Sequence, residues 1–325
     1  MTEILEGPIA IARGVEQLAK GQLVAFPTET VYGLGADALD PVAVDRVFAL
    51  KGRPSTNPLI VHVSGIEMAK TLVEDWTPTA DKITKAYWPG PMTIVLPKAA
   101  CIPGNVSADG PTVAIRCPAH PCALALIEAF GKPIVGPSAN PSGRISPTTP
   151  EHVNDGFPNA DLVIIDGGHC RAGIESTVLD LSTDPIRVLR PGIIGVHAIR
   201  ETLAQPVECV TMVDASEPAR SPGTIGAHYQ PRTPTTLVES DALGSAEPST
   251  ILIAWSIDAH PSGGELIAMP SALDAYASAI YRAMHDGDKA GSESLWIEQP
   301  PRATTPDDEA IRGAIMERLR RAAQN

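Results

Sequence analysis

Eight short apolar runs, several of them separated by helical patterns, fill the chain up to about residue 205, and this alternation limits the possible folds more than any other feature of the sequence. The runs are Leu23 to Pro27, Leu59 to Val63, Met92 to Leu96, Val113 to Ile115, Ile134 to Gly136, Leu162 to Ile165, Val178 to Leu181 and Arg187 to Leu189. Each has the length and apolar content of a strand. Helical spacing sets Val15 and Leu18 together within Gly14 to Lys20, Val44, Val47 and Phe48 within Val42 to Leu50, and Leu124 and Ile127 within His120 to Phe130. Such elements bury their apolar faces by layering helices on a sheet, which predicts an α/β fold. The polar flanks of several runs predict a mixed rather than a purely parallel sheet.

The pattern breaks near residue 205. Ser216 to Pro234 is rich in Pro, Gly, Ser and Thr, has neither strand nor helix period, and reads as a linker. Beyond it, Thr235 to Val238, Ile251 to Trp255 and Ser294 to Ile297 read as strands. Leu273, Tyr276, Ile280 and Met284 form one helical stripe, and Ile311, Ile315 and Leu319 another. The expected division is a large domain over 1–205, a linker over 206–234 and a smaller α/β domain over 235–325.

Lys plus Arg number 25 against 38 Asp plus Glu, a net charge of -13 that repels a long nucleic acid backbone. The five cysteines form no C-x-x-C pair and no histidines stand at zinc-site spacing, so neither a disulfide framework nor a metal ligand set is expected. There is no run of 18 apolar residues, and Met1 to Pro8 carries Glu3 and Glu6 where a secretion signal would be positive. A cytoplasmic protein without membrane association is the expectation.

Against this acidic background, four polar stretches sit at or near the ends of apolar runs: Lys51-Gly52-Arg53, Arg116, Ser138-Ala139-Asn140 and Ser176-Thr177. They supply positive charges, hydroxyls and an amide with no matching carboxylate cluster, which points to an anion and most simply to a nucleotide phosphate. No G-x-x-x-x-G-K-[ST] and no G-x-G-x-x-G motif is present. Gly33 and Gly35 read as a tight turn that presents Thr28, Thr30 and Tyr32 to a cavity.

Six strings then carry a resemblance: Phe26-Pro27-Thr28-Glu29-Thr30-Val31-Tyr32-Gly33-Leu34, Lys51-Gly52-Arg53-Pro54, Pro89-Gly90-Pro91-Met92-Thr93, Arg116-Cys117-Pro118, Pro137-Ser138-Ala139-Asn140-Pro141-Ser142-Gly143 and Glu175-Ser176-Thr177-Val178. In order and spacing the chain resembles the YrdC/Sua5 family of threonylcarbamoyl-AMP synthases over roughly residues 10 to 200. Ser221-Pro222-Gly223, His228-Tyr229-Gln230-Pro231 and the smaller domain resemble the long, two-domain form. Thr224 to Ala227 departs from the more basic, aromatic stretch common in that family. The resemblance implies a YrdC-like twisted mixed sheet, then a smaller Rossmann-like domain. It also implies a nucleotidyltransferase that joins L-threonine, bicarbonate and ATP to give L-threonylcarbamoyl-AMP and pyrophosphate. That product feeds the t6A modification of tRNA adenosine 37 through a downstream threonylcarbamoyl transferase, with Mg2+ expected alongside ATP.

The resemblance also implies roles. Lys51 and Arg53, with Gly52 turning the backbone between them, would face the triphosphate together with Ser138 and Asn140. Arg144, Ser176 and Arg190 would join the nucleotide side, and Thr28, Thr30, Tyr32, His62 and Arg116 the amino-acid side, Arg116 pairing with the α-carboxylate. Tyr229 would close the cavity against water. An RNA-binding module, or a regulatory nucleotide-binding protein without catalysis, is the alternative. Net charge weighs against the first, and the paired Lys51, Arg53, Ser138 and Asn140 against the second.

Overall fold

The computed structural model describes residues 2–210 and 228–324. Ser221 to Ala227, part of the expected closing segment, lie outside the described residues. Among those described, the first eleven strands are β1 (Glu3–Glu6), β2 (Val24–Phe26), β3 (Gly33–Asp37), β4 (Ile60–His62), β5 (Met92–Pro97), β6 (Thr112–Arg116), β7 (Ile134–Val135), β8 (Val163–Asp166), β9 (Thr177–Asp180), β10 (Ile186–Arg190) and β11 (Val207–Cys209). They form one sheet in the order β1-β8-β2-β3-β7-β4-β6-β5-β9-β10-β11. The sheet is mixed, as expected: β4/β6 and β5/β9 are parallel, whereas β4/β7, β5/β6 and β9/β10 are antiparallel.

Seven helices accompany this sheet among the described residues: α1 (Gly7–Ala19), α2 (Pro41–Lys51), α3 (Ile66–Lys70), α4 (Pro78–Tyr87), α5 (Pro121–Phe130), α6 (Pro150–Gly156) and α7 (Val196–Leu203). Leu18 on α1 and Leu126 and Ile127 on α5 bury with Val24, Phe26, Ile134 and Ile165 against one face. The approach of α1 depends on Gly14, where a Cβ would stand 2.9 Å from Leu126 Cδ1. On the other face Val44, Val47 and Phe48 of α2 and Ile83 of α4 join Val61, Ile94 and Ile115. These two layers remove most of the sheet from water, which is the main favourable term in folding.

The second unit has a parallel sheet in the order β12-β15-β13-β14, built from β12 (Thr235–Val238), β13 (Thr250–Ala254), β14 (Leu266–Ala268) and β15 (Ser294–Glu298). Helices α8 (Leu273–Ala290) and α9 (Pro306–Ala322) pack together over it. Helix α9 opens with a capping box in which Thr305 and Asp308 satisfy each other's backbone donors. The expected stripes Tyr276, Ile280 and Met284 and Ile315 and Leu319 all lie in its core. That core also takes in Val31, Ile145 and Ile174 of the first unit.

Four strands escaped sequence reading: β1, β3, β11 and β14. The informative one is β3, where Gly33-Leu34-Gly35-Ala36-Asp37 pairs antiparallel with β2 instead of forming the expected tight turn. The glycines serve close packing. A Cβ at Gly33 would lie 2.8 Å from the Phe26 ring, and one at Gly35 would lie 3.1 Å from Val24.

A close approach between the units is made at Gly173, at φ +72°, where a Cβ would meet Ala277 O at 2.3 Å and Ser278 Cα at 2.5 Å on α8. Gly173→Ala is expected to destabilise the chain by more than the roughly 1–3 kcal/mol of a left-handed backbone alone, because it also forces α8 away. Urea unfolding monitored by near-UV circular dichroism measures this, and an unchanged midpoint would contradict the packing described.

Candidate active site

The polar stretches converge on one cavity of about 650 Å³, open mouth included, lined by Thr30, Lys51, Arg53, His62, Arg116, Ser138, Asn140, Arg144, Arg190 and Tyr229 among others. Its first wall is the end of α2. Asp40 caps the helix start by accepting from Val42 N, and Gly52 ends it in the left-handed region at φ +60°. The last helical residue, Lys51, is therefore carried inward. It is 3 % exposed, and its Nζ donates to the carbonyls of Ser138 and Asn140. Ser142 N returns a bond of 2.7 Å to Lys51 O, so the helix end and the Ser138 to Ser142 loop are tied twice.

Burial, then the neighbouring Arg53 charge, hold the Lys51 ammonium well below the ordinary lysine range. Arg53 Nε and Nη2 donate to the carbonyls of Asn57 and Pro58 at 3.3 and 3.1 Å. It has no carboxylate partner among the described residues. Burial and the charge of Arg190 lower its pKa to about 10, against an opposing contribution from Tyr229. Arg190 in turn donates Nε to Ser176 O at 3.1 Å and Nη2 to Ser176 Oγ at 3.0 Å, and Ser176 Oγ shares a bond of 2.8 Å with Thr93 Oγ1. Cations gathered this way within mutual influence are stable only where carbonyls and anions surround them.

The opposite wall comes from the parallel pair β4 and β6, whose register sets His62 beside Arg116. Arg116 Nη2 lies 2.8 Å from Glu29 Oε1, yet the pair is not aligned as a hydrogen bond, and both atoms are buried without an acceptor or donor in line. His62 is buried with Nδ1 unpartnered, and burial followed by the Arg116 charge lowers its pKa to about 3. It is a neutral imidazole throughout the physiological range.

Tyr229, just before the second unit, also lines the cavity and is backed by that unit. Tyr229 is buried at φ +67°, unusual for a residue with a Cβ, and its ring stacks on Tyr281 of α8 with centroids 5.6 Å apart. Gln230 N donates to Gly143 O at 2.9 Å, pinning the segment to the loop that carries Asn140 and Arg144. Asn140 uses Nδ2 on Pro141 O and Arg144 O and leaves Oδ1 unpaired.

Three expected site residues stand behind the cavity wall. Thr28 Oγ1 donates to Val31 O at 2.6 Å and shares a bond of 2.8 Å with Thr30 Oγ1, shaping the turn that offers Thr30. Tyr32 is wholly buried, donates to Gly168 O at 2.8 Å and accepts from Gly167 N at 3.2 Å. Ser176 is wholly buried under Arg190. Conversely, two carboxylates that the sequence did not single out stand at the site: Glu29 against Arg116, and Glu175, which lines the cavity. Both stand inside the quoted strings, but a carboxylate in a string carries no sign of which way it points. Among the described residues no group of three His, Cys, Asp or Glu side chains is placed to hold a metal ion.

An anion entering beside Lys51 raises its depressed pKa, so binding draws protons from the buffer. At about pH 8.5, where nucleotide phosphates are already ionised, ATP binding is expected to take up more protons in the unsubstituted chain than in Lys51→Met. Calorimetry in buffers of different ionisation enthalpy reads this difference. Equal uptake by the two proteins would contradict the placement of Lys51.

Residues 16–192 match the Sua5/YciO/YrdC family, described as telomere recombination, and residues 194–324 match the threonylcarbamoyl-AMP synthase C-terminal domain. The chain is 37% identical to threonylcarbamoyl-AMP synthase of Pyrococcus abyssi over 98% of this chain and 95% of that one. Against the Bacillus subtilis threonylcarbamoyl-AMP synthase the identity is 36%, over 96% and 92%. It superposes on the crystal structure of P. abyssi Sua5 complexed with L-threonine with a TM-score of 0.89 and 33% identity, covering 99% of this chain and 97% of that one. In sequence, fold and the pairing of its two domains, the chain belongs to the Sua5/YciO/YrdC family, in the two-domain form of the threonylcarbamoyl-AMP synthases.

Proposed function

We propose that this cavity condenses L-threonine, bicarbonate and ATP into L-threonylcarbamoyl-AMP and pyrophosphate. One observation carries the reading for this chain: Lys51, Arg53 and Arg190, together with Arg116, line a single cavity. Lys51, Arg53 and Arg190 suit a polyphosphate. Arg116, with a buried Nη2 lacking an aligned acceptor, suits the α-carboxylate of an amino acid.

The neutral threonine amine forms a bond to the bicarbonate carbon while a C–O bond of bicarbonate breaks, so that water leaves and a carbamate remains. A carbamate oxygen then forms a bond to the α-phosphorus while the bond from that phosphorus to the β-bridging oxygen breaks, and pyrophosphate leaves with the electron pair. Several negative charges meet in this step, so positioning and charge neutralisation dominate. Lys51 and Arg53, with Ser138 and Asn140, hold the triphosphate, and Arg144 and Arg190 border the nucleotide. Ser176 acts by fixing Arg190. Thr30 and Arg116 read threonine, with Thr28 and Tyr32 supporting their turn from behind. His62, with a conjugate acid of pKa about 3, is too weak a base for proton abstraction and serves as a hydrogen-bond acceptor through Nδ1. Mg2+ arrives with ATP, held by phosphate oxygens and water. Tyr229 closes the cavity, and the working units remain 1–205, a linker and lid over 206–234, and 235–325. The adenylate is consumed by a threonylcarbamoyl transferase acting on tRNA.

The test is mass detection of the adenylate from purified chain, ATP and Mg2+, with threonine and bicarbonate supplied together or singly. Adenylate only with both is expected. ATP binding without adenylate under any combination would leave a non-catalytic nucleotide-binding protein and end this reading. Serine lacks one methyl, worth roughly 1–3 kcal/mol in a fitted pocket, so its specificity constant should fall about tenfold or more below that of threonine. Equal values would refute a close-fitting amino-acid wall.

A further inference from the structure

Arg318, on α9, reaches from the second unit to the first. It is 1 % exposed, and it is the largest fully buried side chain among the described residues. Besides Ala314 O at 3.2 Å and Glu317 Oε2 at 3.3 Å on its own helix, its guanidinium contacts two strand ends. Nε donates to Glu175 Oε2 at 3.2 Å, two residues before β9, and Nη1 donates to Pro191 O at 2.6 Å, immediately after β10. Those positions flank Ser176 and Arg190, the pair joined by two hydrogen bonds at the cavity wall. Gly192 lets the two strand ends approach, since a Cβ there would lie 2.4 Å from Thr177 N and 2.8 Å from Glu175 O.

Glu175 is the junction of this arrangement. Its Oε1 accepts from Ser146 Oγ at 2.7 Å, and its Oε2 accepts from Tyr281 Oη at 3.0 Å as well as from Arg318. Tyr281 is the ring on which Tyr229 stacks. One carboxylate therefore joins both helices of the second unit to the cavity wall and to the closing tyrosine.

We infer that Arg318 is a positioning residue for the synthase reaction, holding Arg190 through Glu175 and Pro191, and that this is how the second unit contributes to catalysis at a cavity lined largely by the first. The inference rests on the reaction proposed above. Arg318 does not line the cavity, so its effect passes through its neighbours.

The charge balance makes the inference testable. Burial pushes the Glu175 carboxyl up. Arg318, then Arg190, then the Ser146 bond bring it below the ordinary value, and it is ionised in the intact protein. The other groups facing it are Tyr281 on α8, Glu317 beside Arg318 on α9, and Tyr229. In Arg318→Met the burial remains and the main counter-charge is gone, so the Glu175 pKa rises. Below that raised value Glu175 is neutral and Arg190 stays on Ser176. Above it the carboxylate ionises and draws Arg190 away.

Arg318→Met is expected to lose activity as pH rises through a limb, set by the raised Glu175 pKa, that the unsubstituted protein lacks, and to show kcat/KM for adenylate formation lowered about tenfold or more on the high-pH side of it. Arg318→Met/Glu175→Gln should abolish that limb and be more active on its high-pH side than Arg318→Met alone. Tyr281→Phe removes one donor to Glu175 while keeping the stack on Tyr229, and should show the same limb at smaller amplitude if Arg318→Met does not fold. An unaltered kcat/KM in Arg318→Met, or a loss that is flat with pH and unrelieved by Glu175→Gln, overturns the inference; for a non-folding Arg318→Met, a pH profile of Tyr281→Phe identical to that of the unsubstituted protein does so. Adenylate synthesis by the unsubstituted protein is the control that separates this outcome from failure of the reaction assignment.

Discussion

Four buried cations, Lys51, Arg116, Arg190 and Arg318, set the terms on which the rest of this structure is built. Moving such a group out of water costs several kcal/mol each, and the cost is tolerable only where carbonyls and carboxylates surround the charge. The chain supplies them from distant segments: the carbonyls of Ser138 and Asn140 for Lys51, Glu29 for Arg116, Ser176 for Arg190, and Glu175 for Arg318. Those partners leave positive potential over, since Arg53 has only carbonyl acceptors among the described residues and Arg116 Nη2 lacks an aligned one. An incoming polyphosphate and carboxylate offset that deficit. Charge preorganised in this manner is most effective where negative charge accumulates during phosphoryl chemistry.

The same constraint explains why the two units meet as they do. A hinge between loosely apposed domains would expose the Glu175 carboxylate and the Arg318 guanidinium to water and weaken their pairing. Here the core around α8 and α9 absorbs Val31, Ile145 and Ile174, and Gly173 lets a loop lie directly on α8. Tyr229 belongs to that core while it also lines the cavity. Closure of the site and packing of the second unit are one arrangement of side chains.

Much of this was legible in the sequence. The eight strand runs of the large unit were readable because their branched apolar residues are buried on both sheet faces, and the Lys51 to Arg53 turn because Gly52 meets a conformational need at φ +60°. What escaped reading has common physical causes. Strand β3 is written in glycines because Phe26 occupies the space of their side chains, so no apolar period marks it. Tyr32 stands just before β3 and turns its hydroxyl to Gly167 and Gly168, a direction that a tight-turn reading of Gly33 and Gly35 could not supply. Glu175 and Arg318 are separated by 143 residues, and an arginine in the run Arg318, Arg320, Arg321 near a helix end reads as an exposed face complementing the helix dipole. Only the tertiary fold distinguishes the buried member from its solvated neighbours.

The central claim is that both substrate anions sit on the cations of one cavity. A crystal structure of the full chain with a non-hydrolysable ATP analogue and L-threonine tests it most directly. The account predicts triphosphate oxygens within hydrogen-bond distance of Lys51 and Arg53, and the threonine carboxylate on Arg116. A nucleotide seated instead in the larger cavity of about 1300 Å³ between α7 and α9, with Lys51 and Arg53 untouched, would contradict it.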